Sequence, residues 1–382
     1  MKKSVKVVII VLCIVILVPV LFVGGYLLYV VCSYHRIGSK ELTVNNKDSN
    51  NVVKTGESLT MTTSNIGFGA YSPNYTFFMD EGINKDGTKT KGSYGKAISE
   101  QDVKNNTSGI TNVTKELNSD FYAFQEVDVS SNRSYHVNQK EYITDYFSTY
   151  SNVFGINYES AYLCYPLNDP IGGSISGLLS LSKYNITSSY RQEYTISTSF
   201  SKFFDLDRCF VINRISVNNG KELIFINSHM SAYDDGGKIR NQQIKELHDF
   251  MNNEYSKGNY VIAAGDFNHD LLTNNPLYPQ YTTSNFAYKD IVDQQKPDWL
   301  SYMFDENKSC VFEDNYKIYA SDNNPSCRDC DVVYTPGFTF VSTVDGFIVS
   351  NNISVSKVYT TKVGTGFAYS DHQPSTLTFS LN

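Results

Sequence analysis

The first 40 residues contain no Asp or Glu, although the whole chain of 382 residues has 39 of them. Residues 7–31 lack charge of either sign. As a helix that run would be about 37 Å long, more than the roughly 30 Å hydrocarbon core of a bilayer requires. A small-x-small cleavage site is also missing, and the run exceeds the apolar stretch of a secretory signal, which argues against a removed leader. Val30-Val31 before Cys32 places valine where lipoprotein processing needs a small residue. The run therefore predicts an uncleaved signal anchor at the cell membrane. Lys2, Lys3 and Lys6 outnumber His35 and Arg36, so the N-terminus should be cytoplasmic and the rest of the single-pass chain extracellular.

Basic excess is absent from the remainder. Five of the 32 Lys and Arg fall in residues 1–40, leaving 27 against 39 acidic groups, or −12. Such a domain is a poor non-specific binder of polyanions, and a nucleic acid would have to be held by a local basic patch or a metal. No repeat of fixed period is present, which removes solenoid architectures. Soft metal ligands are few. Outside the anchor region lie Cys164, Cys209, Cys310, Cys327 and Cys330, and the C-x-x-C at 327 and 330 has only Cys310 as a nearby third thiol. That is too few for a zinc site, so a disulfide within residues 310–330 is the better expectation, with at least one thiol left over.

What is present is a globular composition, 41% hydrophobic and 14% aromatic, sufficient for a sizeable core. The expected organisation is a cytoplasmic stub and membrane helix over residues 1–36, a polar stalk over 37–57, and one catalytic domain over 58–382. Within that domain Leu59, Met61 and Thr63 alternate as a strand. Ile110, Val113 and Leu117 recur at helical spacing before the apolar run 121–124, and Tyr142, Ile143, Tyr146, Phe147 and Tyr150 give another helical face. Residues 178–181 read as a strand. Asn218-Asn219-Gly220 joins the runs 209–217 and 223–227 as a hairpin. Ile244, Leu247 and Met251 mark a helix closed by Gly258, and a buried strand follows at 260–264. Residues 271–340 lack periodicity and predict long loops. Two further strands, at 344–349 and within 367–381, close the chain.

Six apolar runs end in polar groups: Asn65, Glu126, Asn227 with His229, Asp266 with Asn268, Asp345, and Asp371 with His372. Buried strands can deliver such groups from distant positions to one sheet end. Carboxylates and amides are hard oxygen donors suited to Mg2+, with Mn2+ or Ca2+ as alternatives. Two imidazoles beside such an ion can divide acid and base work, the chemistry that displacement at phosphorus needs. Taken singly, histidines on strands are usually structural, and His136, His248 and His269 keep that reading. Asp128 is a reach toward phosphate or a turn carboxylate, and Arg133 and Arg240 are phosphate contacts or structural ion pairs.

The pieces Ser64-Asn65-Ile66-Gly67, Gln125-Glu126-Val127-Asp128, Asn227-Ser228-His229, Gly265-Asp266-Phe267-Asn268, Val344-Asp345-Gly346-Phe347 and Ser370-Asp371-His372-Gln373-Pro374 resemble, in order, the motifs of the endonuclease/exonuclease/phosphatase superfamily. The resemblance runs from about residue 59 to the C-terminus. It implies an α/β, four-layer sandwich, two packed mixed β-sheets flanked by helices, here preceded by one transmembrane helix. It also implies metal binding by Glu126 with Asn65 and Asp371, water activation by Asp266, phosphate contact by Asn268, and an Asp345–His372 orienting dyad. His229 matches the second histidine of the DNase and sphingomyelinase branches, and Asn227, Arg133 and Arg240 are further phosphate candidates. The expected activity is a membrane-anchored, outward-facing phosphodiesterase, foremost a DNase-like nuclease. A sphingomyelinase- or phospholipase C-like hydrolase is the alternative, with Trp299, Tyr302, Met303 and Phe304 resting on lipid headgroups. A non-catalytic surface binding module is the third reading, and its expected signature, loss of the polar site residues, is missing.

Overall fold

The computed structural model describes residues 3–47, 51–83, 87–232, 238–269, 271 and 315–382. Two seven-stranded mixed sheets pack face to face. Each is built around one parallel pair: Leu59–Asn65 beside Phe121–Asp128 in the first sheet, Glu222–His229 beside Tyr260–Asp266 in the second. Parallel neighbours need a crossover, and a helix lies between the strands of each pair in sequence, α2 (Glu100–Glu116) in the first and α4 (Lys238–Ser256) in the second. The Ser99 hydroxyl accepts from Asp102 N at 3.1 Å and fixes where α2 begins, with Glu100 and Asp102 favourably placed in its first turn.

Side-chain alternation assigns each residue to a layer. Leu59, Met61, Phe121, Ala123, Leu223, Phe225, Ile262, Ala264, Phe347 and Leu377 fill the space between the sheets. Their sequence neighbours on the same strands point outward. Tyr122 and Phe124 join Ile110 of α2 and Ile143 of α3 (Gln139–Tyr146), while Ile224, Ile226, Val261 and Ala263 join Ile244, Leu247 and Met251 of α4. The order helix, sheet, sheet, helix is the four-layer α/β sandwich that the motifs imply. Runs apolar on both faces are what a strand covered on both sides requires.

Three local features depart from the sequence expectations. Residues 37–45, within the expected stalk, are not free. Lys40–Glu41 and Val44–Asn45 add edge strands to the second and the first sheet, and Arg191 donates to Ile37 O at 2.6 Å and Gly38 O at 3.2 Å. The main chain here satisfies its hydrogen bonds on open sheet edges, so a polar composition does not leave it loose. Within the aperiodic span 271–340, Tyr316–Tyr319 is a strand on Asp345–Ser350. Trp299, Tyr302, Met303, Phe304 and Cys310 lie outside the described residues. Cys327 and Cys330 are free thiols, so the expected disulfide does not join these two.

Glu254 pins α4 to the second sheet. It accepts from Arg214 at 2.6 and 3.1 Å, from Lys257 at 2.7 Å and from Asn259 at 2.9 Å. Burial would raise its pKa, but these donors win and lower it to about 2. The stabilisation is present above the unfolded carboxylate value and is lost as pH falls from there through about 2. Glu254→Gln should therefore cost roughly 2–4 kcal/mol at pH 7. The gap to wild type should narrow below pH about 4.5, as followed by denaturant unfolding across pH. A gap independent of pH would remove the charge from this account.

Candidate active site

The same alternation that fills the core sets the site. Continuing the inward-facing series beyond its last apolar residue gives Thr63 and Asn65 on one strand, Gln125 on the next, Asn227 and His229 on the third, and Asp266 on the fourth. All lie at the C-terminal ends of the parallel pairs. The antiparallel neighbours begin where those strands end, so Asp345 pairs with Asp266, and Asp371 and His372 precede Ser375, which pairs with Thr63.

Glu126 breaks the alternation. By parity it would follow Tyr122 and Phe124 to the outer layer, but the pairing with Gly172–Ser182 shifts between Phe124 and Val127, and Glu126 adopts φ 54°. This bulge turns its carboxylate inward, where Asn65 Nδ2 donates to Glu126 Oε1 at 3.1 Å. Gly67, at φ +51°, donates its N–H to Asn65 Oδ1 at 2.9 Å. A Cβ there would stand 2.7 Å from Asp371 Oδ1 and 2.5 Å from the Tyr71 ring, so only glycine fits.

Asp266 is the meeting point. Its Oδ2 accepts from Asn65 Nδ2 at 3.0 Å and lies 3.5 Å from His229 Nε2 and 3.7 Å from His372 Nε2. Its Oδ1 accepts from the Asn268 N–H at 2.8 Å. Asn268 takes φ 51° and donates its side-chain amide to Met230 O at 2.8 Å. Asp345 Oδ2 lies 2.7 Å from His372 Nδ1, and Ser326 Oγ receives the Asp345 N–H at 3.0 Å. Ser370 Oγ ties the loop to Asn65 O at 2.9 Å and to Asp371 Oδ1 at 3.2 Å.

The surroundings push the two imidazoles in opposite directions. Burial, with help from the positive charges of Arg208, His372 and Arg133, pushes His229 well below the usual range. Burial would do the same to His372, but Asp345 first, then Cys327, Asp371 and Asp266, hold it well above. Burial raises Asp266, and burial with the Glu126 charge raises Asp371 to about 6. Carboxylates driven together in this way call for a cation. Asp266, Asp345 and His372 offer donor atoms within 4.8 Å of one another. Asp345 is fully buried and committed to His372, however, whereas Glu126 and Asp371 retain some exposure at 22% and 15%. Glu126 and Asp371 are therefore the carboxylates left for a hard divalent ion, whereas the expected ligand Asn65 turns its Nδ2 toward Glu126 and Asp266 and gives its Oδ1 to the Gly67 N–H.

The remaining candidates are placed differently. Asn227 is fully buried: Gln125 donates to its Oδ1 at 2.8 Å, and its Nδ2 donates to Phe124 O and Leu179 O at 3.2 Å. Arg133 is buried in an ion pair with Asp128 at 2.8 Å and lies 3.9 Å over the Phe68 ring. Arg240 donates to Asn268 O at 3.1 Å. Two groups were not signalled as site residues by the sequence. Cys327 Sγ lies 3.6 Å from His372 Nε2, and Cys330 Sγ lies 3.9 Å from Asp371 Oδ2. A lone C-x-x-C gives no spatial address, which is why they could not be found.

A model of the Endonuclease/Exonuclease/phosphatase family 2 matches residues 99–376. No curated protein matches the chain. Solved structures share the fold at low identity. An endonuclease/exonuclease/phosphatase from Beutenbergia cavernae is 13% identical with a TM-score of 0.52, covering 85% of this chain and 72% of its own. An endonuclease/exonuclease/phosphatase family protein from Leptotrichia buccalis is 14% identical with a TM-score of 0.50, covering 85% and 100%. The human Nocturnin catalytic domain, with bound sulfate anion, is 13% identical with a TM-score of 0.50, covering 85% and 95%.

The Asp345 carboxylate is the foremost of the groups that hold the His372 imidazole above the usual range. In metal-free protein, Asp345→Asn should lower the imidazole pKa of His372, as followed by NMR titration. The stabilisation from the raised pKa is complete below the unfolded histidine value of about 6.5 and fades as pH rises through the folded value. An unchanged titration would remove Asp345 from this role.

Proposed function

We infer hydrolysis of phosphodiester bonds from two observations: the chain belongs to the endonuclease/exonuclease/phosphatase family, and the Asp266 carboxylate lies within 4 Å of two buried imidazoles whose proton affinities are pushed in opposite directions. The second observation carries the mechanism. Asp266 is buried, its proton affinity is raised, and Asn65 and the Asn268 N–H hold it in place, so it can take a proton from an attacking water. His372, kept protonated by Asp345, is the donor available to the leaving oxygen. Passage of the proton from Asp266 to His372 across 3.7 Å restores the starting state. Neutral His229 and the Asn268 amide line the same space and orient the phosphate. A Mg2+ ion held by Glu126 and Asp371, with Asn65 fixing Glu126 by a hydrogen bond, would neutralise charge on the phosphoryl oxygens. The apolar helix α1 (Lys3–Ser33) supports a membrane-anchored enzyme, with its domain outside the cell by the lysine rule. DNase-like hydrolysis of nucleic acid and hydrolysis of a lipid phosphodiester are the two substrate readings this site allows.

Full-length protein in detergent or nanodiscs, offered DNA, RNA, sphingomyelin and a small chromogenic phosphodiester, should turn over at least one of them. It should lose that activity in chelator and regain it with Mg2+; turnover insensitive to chelator would reject the metal assignment. Asp266→Ala and His372→Ala should each depress kcat by about 10^2–10^4-fold with unchanged circular dichroism. Near-normal rates in either would reject its role. Protease added outside intact cells should remove the domain, and protection would reverse the orientation.

A further inference from the structure

The membrane helix does not end free of the domain, and the face it meets is the catalytic one. Tyr26 of α1 receives the Cys164 N–H on its hydroxyl at 3.0 Å and donates to Tyr162 O at 3.2 Å. Tyr29 receives the Tyr162 N–H at 3.1 Å, and Val30 is buried. Just past the helix, Tyr34 donates to Asp207 Oδ1 at 3.1 Å and packs edge-on against Phe203 at 5.2 Å. Arg36 pairs with Asp207 at 2.6 Å. The anchor is thus clasped by two loops, one following Leu163 and one preceding Cys209.

Strand direction fixes which end of the sandwich these loops occupy. Ser151–Leu163 runs antiparallel to Gly172–Ser182, which runs antiparallel to Phe121–Asp128. Leu163 therefore lies at the same end as Glu126. In the second sheet Cys209 is directly opposite His229, and Ser188–Glu193 pairs antiparallel with Cys209–Ser216, so its end at Glu193 also points to the catalytic side. Both loops project from the end that carries the site.

Their composition suits the place. Residues 161–168 carry no charge and residues 195–204 carry only Lys202. Leu167 is 80% exposed, Tyr165 60% and Phe200 51%, with Phe204 exposed beside them. With residues 7–31 centred on a hydrocarbon core of roughly 30 Å, its near boundary falls at about Tyr29. Cys164 and Tyr162, bonded to Tyr26 and Tyr29, then lie at that boundary, and Phe203, against Tyr34, lies in the headgroup layer. Tyrosines with an apolar ring and a bonded hydroxyl are at home there.

We propose that residues 162–167 and Phe200–Phe204 form a lipid-docking surface continuous with α1, which seats the catalytic end of the domain on the bilayer. The proposal rests on α1 spanning the membrane and is independent of the phosphodiesterase reading. It commits to the phospholipid headgroup and upper acyl layer as the occupant; Lys202 can reach its phosphates from the polar side.

The test uses full-length protein in nanodiscs of phosphatidylcholine brominated near the top of the acyl chains. In a Trp299→Phe background, single tryptophans replace Leu167, Phe204 and, at the opposite end of the sandwich, Ser58. Fluorescence at 167 and 204 should be quenched at least twofold relative to unbrominated nanodiscs, and fluorescence at 58 should be unchanged. Leu167→Glu combined with Phe200→Glu should reduce quenching at 204 while circular dichroism is retained. Absence of quenching at both 167 and 204, or equal quenching at 58, would overturn the proposal.

Discussion

The catalytic ends of the two sheets are tied together by buried amides, Gln125 Nε2 to Asn227 Oδ1 at 2.8 Å and, in the site itself, Asn65 Nδ2 to Asp266 Oδ2 at 3.0 Å. Neither Gln125 nor Asn227 has exposure to water. Each therefore must find every partner inside, and Asn227 reaches across to the main chain of Phe124 and Leu179 while Gln125 meets Thr63. Apolar contacts between sheets are non-directional and tolerate sliding; a saturated amide pair does not. Asn65 and Glu126 belong to one sheet, His229 and Asp266 to the other, so distances across the site are set by the Asn65–Asp266 bond and by the Gln125–Asn227 pair below it.

Above that tie the site is held in tension by charge. Four carboxylates, Glu126, Asp266, Asp345 and Asp371, converge with two imidazoles in a largely buried space. The protein distributes the strain unequally. Asp345 takes His372 as its partner, Asp266 takes the Asn65 amide and a main-chain N–H, and Glu126 and Asp371 are left facing the remaining opening. The two deeper carboxylates are held on buried partners, while Glu126 and Asp371, with one hydrogen bond each from Asn65 and Ser370 and some exposure, are those that a cation would satisfy. The Glu126 bulge is part of this division, since a regular strand would bury the carboxylate among Tyr122 and Phe124.

The strands bearing the site were legible because burial on both faces writes long apolar runs. The run 260–264 followed by Gly265 and Asp266 is the clearest, and the hairpin at Asn219-Gly220 is nearly as clear. Strands Ser151–Leu163 and Ser188–Glu193 were not, since Asn, Ser and Tyr interrupt their alternation and their pairing is set by neighbours distant in sequence. The candidate residues at six strand ends come together, but parity separates them. Asn227 falls one step deeper than His229 on the same face and becomes a tie between sheets, a distinction that needs the register. Arg133 is spent on Asp128 for a similar reason: an arginine beside a buried carboxylate is claimed before any ligand arrives.

The anchored segment changes what the acidic net charge means. A flexible stalk would let the domain tumble and present its site to the bulk, where a formal −12 disfavours a polyanion. Residues 37–45 are instead laid along both sheet edges, and the helix end is clasped by loops on the catalytic side. If α1 spans a membrane as proposed, geometry would select substrates before charge does. A molecule in the plane of that membrane would meet the site directly, while a nucleic acid would have to enter sideways between an acidic domain and a lipid surface. The same contacts that order the polar segment after α1 would then weigh on substrate choice through orientation.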